Sequence, residues 1–251
     1  MTKPARTLSK GDAFAELQML VDEGLIAFEG HSDENHVNLG GLNPVTGAME
    51  AGNVAGVVVR RGEAAAAPAF LDPRNALALV RLCQYLSNRF GATDLFHVGI
   101  SGDASGGRVD CHGQGRAVDF TGAARRVGDD TDFHLTVLSD WGSVTPSTPS
   151  TTSAPSTQST QSAQSTQSTQ CTQSTQNTTG YRLDGAGTLA EAFFRGVYQF
   201  AAGQWQDRSQ DPDGQDVPTS IGDGGFILTP DHPTTAPTNH LHLQIGKSGT
   251  E

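Results

Sequence analysis

The stretch DCHGQGRAVDF, residues 110–120, combines side chains that bind metals with glycines that can turn the chain between them. His112 and Asp119 carry an imidazole and a carboxylate, and both groups are common zinc ligands. Gly113 and Gly115 can adopt backbone conformations that other residues avoid, so the chain can fold back from His112 before a strand begins. Two interpretations stand side by side here: a tight turn that leads into a core strand, or a turn that brings both side chains to one metal ion.

A second pair of imidazoles lies in the stretch HLHLQIG near the end of the sequence. His240 and His242 are two positions apart on a predicted strand, so their side chains point to the same face. Leu241 and Leu243 then point to the other face, into a core. Such a pair also occurs as ordinary surface or cross-strand histidines. Combined with the earlier stretch, it supplies one carboxylate and two or three imidazoles, a set that suits catalytic zinc with one position open for water.

The elements that position these residues follow from hydrophobic periodicity and from helix-capping residues. Asp72 is a candidate N-cap, Pro73 occupies the first helical position and Gly91 follows the end of the best helix. The patterns predict helices at 12–24, 73–90 and 188–205, and strands at 94–100, 116–120, 133–141, 224–230 and 239–246. Residues 40–57 are glycine-rich and turn-like, and residues 60–73 have the composition of a linker. We expect an α+β fold, with helices packed on one face of a small, mainly antiparallel sheet.

A Ser/Thr/Gln/Pro tract with a repeated STQ triplet interrupts this pattern at residues 143–180. It has almost no apolar side chains to bury, and this predicts a disordered or extended insertion. A long surface loop is the plainer interpretation, and the sequon at Asn177 adds that of a glycosylated stalk. The sequence therefore divides into an N-terminal region of unclear role, 1–70, and one domain formed by 71–142 and 181–251 around the tract.

Composition and charge exclude several classes of protein. The net charge of -11 argues against nucleic-acid partners and against a polybasic membrane-surface protein. We expect no transmembrane segment, because no long apolar run exists. No ordinary signal peptide is predicted, because no apolar region follows the basic start. Three scattered cysteines and no CxxC pair exclude a disulfide framework and a zinc ribbon.

The combination H-G-Q-G-R-A-V-D followed far downstream by H-L-H resembles the zinc D-Ala-D-Ala carboxypeptidases and the wider superfamily that includes lysostaphin-type endopeptidases and hedgehog proteins. The pattern of that superfamily is S-x-H-x-x-G-x-A-x-D, followed by H-x-H or E-x-x-H. His112, Gly115, Ala117 and Asp119 match it in register, whereas Asp110 replaces the serine. The arginine that usually follows Ser-Gly is absent from Ser-Gly-Asp-Ala at 101–104, and Arg108 and Arg116 are the nearby substitutes.

The resemblance implies a fold like that of the hedgehog and D-Ala-D-Ala peptidase domains, and it implies roles for individual residues. His112, Asp119 and His242 would be the zinc ligands, and His240 would be the catalytic histidine beside a zinc-activated water. Ligand histidines also need an acceptor for their remaining ring nitrogen. Candidates for that acceptor are Asp110 and Asp231.

The resulting expectation is a zinc-dependent peptidoglycan peptidase, either a carboxypeptidase or an endopeptidase, whose partners are stem peptides or cross-links of the cell wall. The alternative is a catalytically inactive, zinc-stabilised binding or structural module, as part or cargo of a phage tail or contractile injection particle. The absent arginine favours the module, and the retained His240 favours the enzyme. In either case we expect synthesis in the cytoplasm and action at the cell wall after delivery or lysis, as for an endolysin or an effector toxin.

Overall fold

The structure of the protein is a computed structural model that describes residues 3–42, 48–50, 52–128, 130–141, 188–205, 227–230 and 237–246. The predicted insertion at 143–180 and the candidate acceptor Asp231 lie outside these residues. The helices are α1 (Lys10–Asp22), α2 (Pro73–Phe90), α3 (Val137–Asp140) and α4 (Leu189–Gln204), and a 3-10 turn at Ala5–Thr7 precedes them.

Helix α2 begins and ends at the residues that the sequence predicts. The Asp72 carboxylate accepts a hydrogen bond from the backbone N–H of Arg74, Pro73 occupies the first helical position, and Gly91 closes the helix at φ 67°. Helices α1 and α4 are confirmed to within two residues at each end. Ser9 caps α1 by accepting from the N–H of Asp12, and Thr188 caps α4 by accepting from the N–H of Glu191.

Eleven strands are described, and several of them are only two residues long. They are β1 (Ala27–Phe28), β2 (Leu39–Leu42), β3 (Met49–Glu50), β4 (Asn53–Val54), β5 (Val57–Arg61), β6 (Ala64–Ala65), β7 (Asp94–Gly99), β8 (Ala117–Val127), β9 (Asp130–Thr136), β10 (Ile227–Leu228) and β11 (Leu241–Gln244). Every predicted strand is present, although β8 runs seven residues beyond the predicted end at 120, and the predicted strand 133–141 divides into β9 and α3.

The main sheet has eight strands in the order β10-β11-β8-β7-β5-β4, with β6 paired to β5 and β9 paired to β8. A separate sheet contains β1, β2 and β3. All pairings are antiparallel except β5 with β7, which are parallel and are connected through α2. The α+β class is therefore confirmed. The sheet is larger than predicted and mixed, because β4, β5 and β6 from the first seventy residues extend it.

The strands absent from the prediction lie in the regions expected to be turns and linker. Residues 40–57 include β3, β4 and the end of β2, and residues 60–73 begin with the end of β5 and include β6. Within residues 1–70, β5 pairs with β7 of the predicted zinc domain. This N-terminal region therefore contributes strands to the same sheet that carries the metal-binding pattern.

One face of the main sheet forms the hydrophobic core with the helices. Val118 and Phe120 of β8 and the leucines of β11 are fully buried there, and the Phe120 ring lies 6.5 Å from that of Phe193 on α4. Side chains alternate along a strand, so Asp119 and His242 project from the opposite face. Within the described ranges, no helix combines the length and the apolar character needed to cross a membrane.

Candidate metal centre

Strand pairing between β8 and β11 places the later histidine beside the aspartate. His242 is directly opposite Asp119, and Leu243 is opposite Val118. Leu241 and Leu243 are fully buried in the core, as the alternating pattern predicts. Residues opposite each other in an antiparallel pair share a face, so the core side chains also fix the direction of the two polar ones.

A hydrogen-bonded turn brings the earlier histidine to the same place. The N–H of Gly115 donates to the carbonyl of His112 at 2.9 Å, and the N–H of Gly113 donates to the Asp110 carboxylate at 2.6 Å. Gly115 has φ 67°, and a Cβ there would lie 2.2 Å from the carbonyl oxygen of Phe70. Only glycine fits this close approach. The sequence-based interpretation of a glycine turn that leads from His112 into a strand is confirmed.

The three predicted ligands converge. Nε2 of His112 lies 3.2 Å from Oδ2 of Asp119, and Nδ1 of His242 lies 2.8 Å from Oδ1. One ligand atom from each of the three side chains lies within 4.8 Å of the others. In a tetrahedral zinc site with bonds of about 2.0–2.2 Å, ligand atoms are about 3.3–3.6 Å apart. Small side-chain movements would bring one nitrogen of each histidine and one oxygen of Asp119 to that spacing, so the triad fits a metal ion. That each of the three residues is a ligand stays a prediction.

The electrostatics of the triad favour a bound cation. Burial alone would raise the pKa of Asp119, but hydrogen bonds and charge interactions with His112 and His242 hold that pKa well below its usual value. The carboxylate is therefore ionised at neutral pH although its side chain is only 16% exposed. A buried, ionised carboxylate with two imidazoles around it needs positive charge nearby, either as protons or as a metal ion.

His240 lies next to the triad and outside the set of three. Its Nε2 is 3.5 Å from Oδ1 of Asp119, and its Nδ1 is 2.8 Å from the side-chain oxygen of Asn239. Burial lowers the pKa of His240, while the charge of Asp119 opposes that shift. The ring is therefore largely neutral at pH 7 and can accept or donate a proton near the triad. This position is compatible with the predicted catalytic role, which stays a prediction.

Gly99 and Gln244 complete the surroundings of the triad, and sequence reasoning did not identify either residue. A Cβ at Gly99 would lie 2.7 Å from Oδ2 of Asp119, so a larger residue would displace the carboxylate. The side-chain oxygen of Gln244 lies 2.9 Å from Nε2 of His242. The two-residue spacing of His242 and Gln244 on one strand is the only sequence signal for this contact, and a single glutamine in a strand is not distinctive.

The other residues considered from the sequence take different positions. Asp110 accepts from the N–H of Gly113 and pairs with Arg108, so its described contacts serve the turn and not a ligand ring. Cys111 is buried, with its sulfur 3.7 Å from the carbonyl oxygen of Gly246, and it is not part of the triad. Arg116 is 2% exposed and donates to the side-chain oxygen of Gln114.

A cleft of about 430 Å³ borders the same turn. Gly113 and Arg108 line it, together with Phe70, whose ring stacks on His36 with centroids 3.7 Å apart. Phe70 has φ 55°, which is unusual for an aromatic residue and indicates local backbone strain. Arg108 is thus the more exposed of the two arginines considered as substitutes for the absent one, and it reaches a space of small-ligand size.

Compared with protein-family models, curated proteins and solved structures, the chain matches none of them.

Proposed function

We propose that the protein is a zinc-dependent peptidase that acts on peptidoglycan, with His112, Asp119 and His242 as metal ligands. The observation that carries the proposal is their convergence at one point from a turn and two strands, with ligand atoms within 4.8 Å of one another. Two imidazoles and one carboxylate form a donor set that catalytic zinc sites use, with the fourth position left to water or substrate.

Individual residues of the chain would have separate roles in peptide hydrolysis. When bound, the ion would supply Lewis-acid polarisation of a carbonyl and would lower the pKa of a water molecule. His240 lies beside the triad with a neutral imidazole, and it would take a proton from the attacking water or give one to the leaving amine. The exposed Arg108 on the wall of the neighbouring cleft would attract a carboxylate of the substrate.

The choice of peptidoglycan as substrate, and of a fold like that of the hedgehog and D-Ala-D-Ala peptidase domains, rests on the motif H-x-x-G-x-A-x-D followed by H-x-H. Here that motif is His112 to Asp119, then His240 and His242. A cell-wall substrate would require delivery or lysis to bring the protein to the wall, and we include that route in the proposal. The cleft is lined by three basic and two acidic residues, and its basic residues would attract the carboxylates of stem peptides: Lys10, Arg108 and Arg116 against Asp72 and Asp103.

The test compares two histidine variants with the wild type by zinc content and by release of stem-peptide fragments from isolated cell walls, detected by mass spectrometry. His240→Ala should keep most of the zinc and lose hydrolysis by ~10²–10⁴-fold, the usual contribution of a general acid–base group. His242→Ala should lose both, since a three-ligand site cannot spare one ligand.

The control is His31→Ala, because His31 is an exposed histidine far along the chain from the triad. It should match the wild type in both measurements. If the wild type binds zinc stoichiometrically yet releases nothing from walls of several cross-link chemistries, the peptidase proposal is wrong and the inactive zinc-stabilised module replaces it. If His240→Ala loses its zinc, His240 is a ligand instead of the acid–base group.

A further inference from the structure

His242 is held between two oxygen atoms, one on each ring nitrogen. Nδ1 faces Oδ1 of Asp119 at 2.8 Å, and Nε2 faces Oε1 of Gln244 at 2.9 Å. Gln244 is fully buried, two positions after His242 on β11, and it is paired with Ala117 of β8. A ring with both nitrogens engaged has neither rotational freedom nor a free choice of which nitrogen carries the proton.

The orientation of the Gln244 amide decides which nitrogen carries that proton. Its Nε2 donates to the carbonyl oxygen of Gly246 at 2.8 Å, and a carbonyl oxygen can only accept. The amide oxygen must therefore face His242, and an amide oxygen also only accepts. Nε2 of His242 consequently carries a proton. Without an ion, Nδ1 also carries a proton, because the ionised Asp119 carboxylate that faces it can only accept. A bound ion would replace the Nδ1 proton and use the lone pair of Nδ1, while Nε2 keeps its proton.

We propose that Gln244 is a positioning residue of the metal centre, which fixes the Nε2-protonated tautomer of His242 and directs Nδ1 to the ion. This inference rests on the metal site of the proposed function and does not depend on which bond is hydrolysed. Hydrogen bonds from ligand histidines to such acceptors fix the ring and raise its basicity, and losing one typically costs 10–100-fold in metal affinity. The carbonyl group of Gly246 in turn orients the Gln244 amide. Three consecutive hydrogen bonds therefore link Gly246, Gln244, His242 and Asp119 into one unit.

The first test measures zinc affinity of the full chain by competition with a chelating dye. Gln244→Met has a similar volume but no strong acceptor, and we expect its affinity to fall by ~10–100-fold. Gln244→Glu keeps an acceptor oxygen toward His242, and its affinity should lie within ~3-fold of wild type or above it. Gln84→Met makes the same chemical change at a half-buried position on α2 and should leave the affinity unchanged.

The second test reads the tautomer directly. Long-range ¹H–¹⁵N spectra of the zinc-loaded full chain should show His242 with a protonated Nε2 and a metal-bound Nδ1, in the wild type and in Gln244→Glu. Gln244→Met should lose or broaden that Nε2–H signal. This readout also covers the case in which Gln244→Met folds poorly, because the wild type and the Glu variant are sufficient for the assignment.

The outcomes separate this inference from the peptidase proposal. Wild-type affinity in a folded Gln244→Met, or a wild-type spectrum with Nδ1 protonated, would overturn the positioning role and leave the peptidase proposal intact. Loss of affinity in Gln244→Met together with inactivity of the zinc-loaded wild type on cell walls would support the positioning role and overturn the peptidase. A wild type that binds no zinc would overturn both.

Discussion

Asp119 is the residue on which the candidate site depends, because three imidazoles face its one carboxylate. His112 and His242 contact different oxygens of it, and His240 lies 3.5 Å from the oxygen that His242 contacts. Different features position these two histidines. A glycine turn positions the backbone of His112, and the side chain of Gln244 on the same strand contacts the ring of His242. His240 has only the side chain of Asn239 as a further described hydrogen-bond partner.

His97 on β7 is a buried histidine outside this group, and it makes stability depend on pH. Its side chain is 4% exposed, and neither ring nitrogen has a hydrogen-bond partner among the described residues. Burial, helped by the charge of Arg61, lowers the pKa of His97 from 6.5 to about 4, and Asp119 opposes the shift. The folded protein therefore keeps this ring neutral where the unfolded chain would protonate it. His97 is thus a core residue whose ring has no hydrogen-bond partner within the part of the chain that the structure describes.

We predict that His97 lowers the stability of the protein as the pH falls from about 6.5 to about 4. In that interval the unfolded chain binds a proton on His97 that the folded protein does not bind. The stability associated with neutral His97 is therefore fully present above pH 6.5 and is lost as the pH falls toward 4. The loss amounts to roughly 3.5 kcal/mol at most, since one pKa unit corresponds to about 1.4 kcal/mol. Urea unfolding in a chelator-containing buffer at several pH values measures it.

His31→Leu is the control for His97→Leu, because the side chain of His31 is 88% exposed and does not undergo the burial on which the argument for His97 depends. His97→Leu should show a flatter dependence of the unfolding free energy on pH than the wild type, and His31→Leu should not. Equal slopes for His97→Leu and the wild type would mean that His97 does not titrate in the way its burial implies.

At the scale of elements, helix α2 anchors the turn that carries His112. Asn75 in its first turn is fully buried, and its amide nitrogen donates to the carbonyl oxygen of Gly115 at 2.9 Å. Its amide oxygen accepts from the indole N–H of Trp205 at 2.9 Å, just beyond the end of α4. The backbone N–H of Asp72 donates to the same Gly115 carbonyl. The N-terminus of α2 thus connects the turn that carries His112 to the end of α4.

Asn75→Leu should destabilise the protein by roughly 2–4 kcal/mol. The substitution leaves the buried indole N–H of Trp205 without its acceptor and weakens the anchor of Gly115, and each lost buried partner costs about 1–3 kcal/mol. Asn88→Leu on the exposed side of the same helix is the matched control and should change the unfolding free energy by less than about 0.5 kcal/mol. Chemical denaturation monitored by tryptophan fluorescence measures both, and similar losses in the two variants would contradict the argument.

Sequence patterns predicted elements well where local rules decide them and poorly where distant pairing decides them. Helix α2 has an N-cap, a proline at its first position and a glycine after its end, and all three signals act within the helix itself. Strands such as β4 and β6 have only two residues, so no periodicity can mark them, and they exist because β5 pairs with them. The histidines were found because metal ligands are few in type. Gln244 was missed because its role arises only from the register of β11 and the bend at Gly246.

At the scale of the whole molecule, the metal-binding pattern is assembled from distant parts of the sequence. The parallel pair β5 and β7 joins the first seventy residues to the sheet, and β11 joins its other side from the far end of the chain. The rings of Trp141 and Phe194, which precede and follow the Ser/Thr/Gln tract, meet with centroids 5.6 Å apart. The two segments of the predicted zinc domain therefore pack against each other directly, through residues that lie outside the tract.

That contact gives a reason to expect the tract to be dispensable for folding. Deleting residues 145–178 and joining the ends with a short glycine linker should change the unfolding free energy by about 1 kcal/mol or less, because loop-closure entropy varies only with the logarithm of loop length. The packing of Trp141 on Phe194 would remain, and with it the pairing of β8 and β11 that aligns Asp119 with His242. Zinc content should therefore be retained as well. Thermal unfolding and metal analysis of the deletion variant measure the two effects, and a control deletion that also removes Trp141 should lose several times more stability. A large loss of stability or zinc in the first variant would show that the tract packs on the domain.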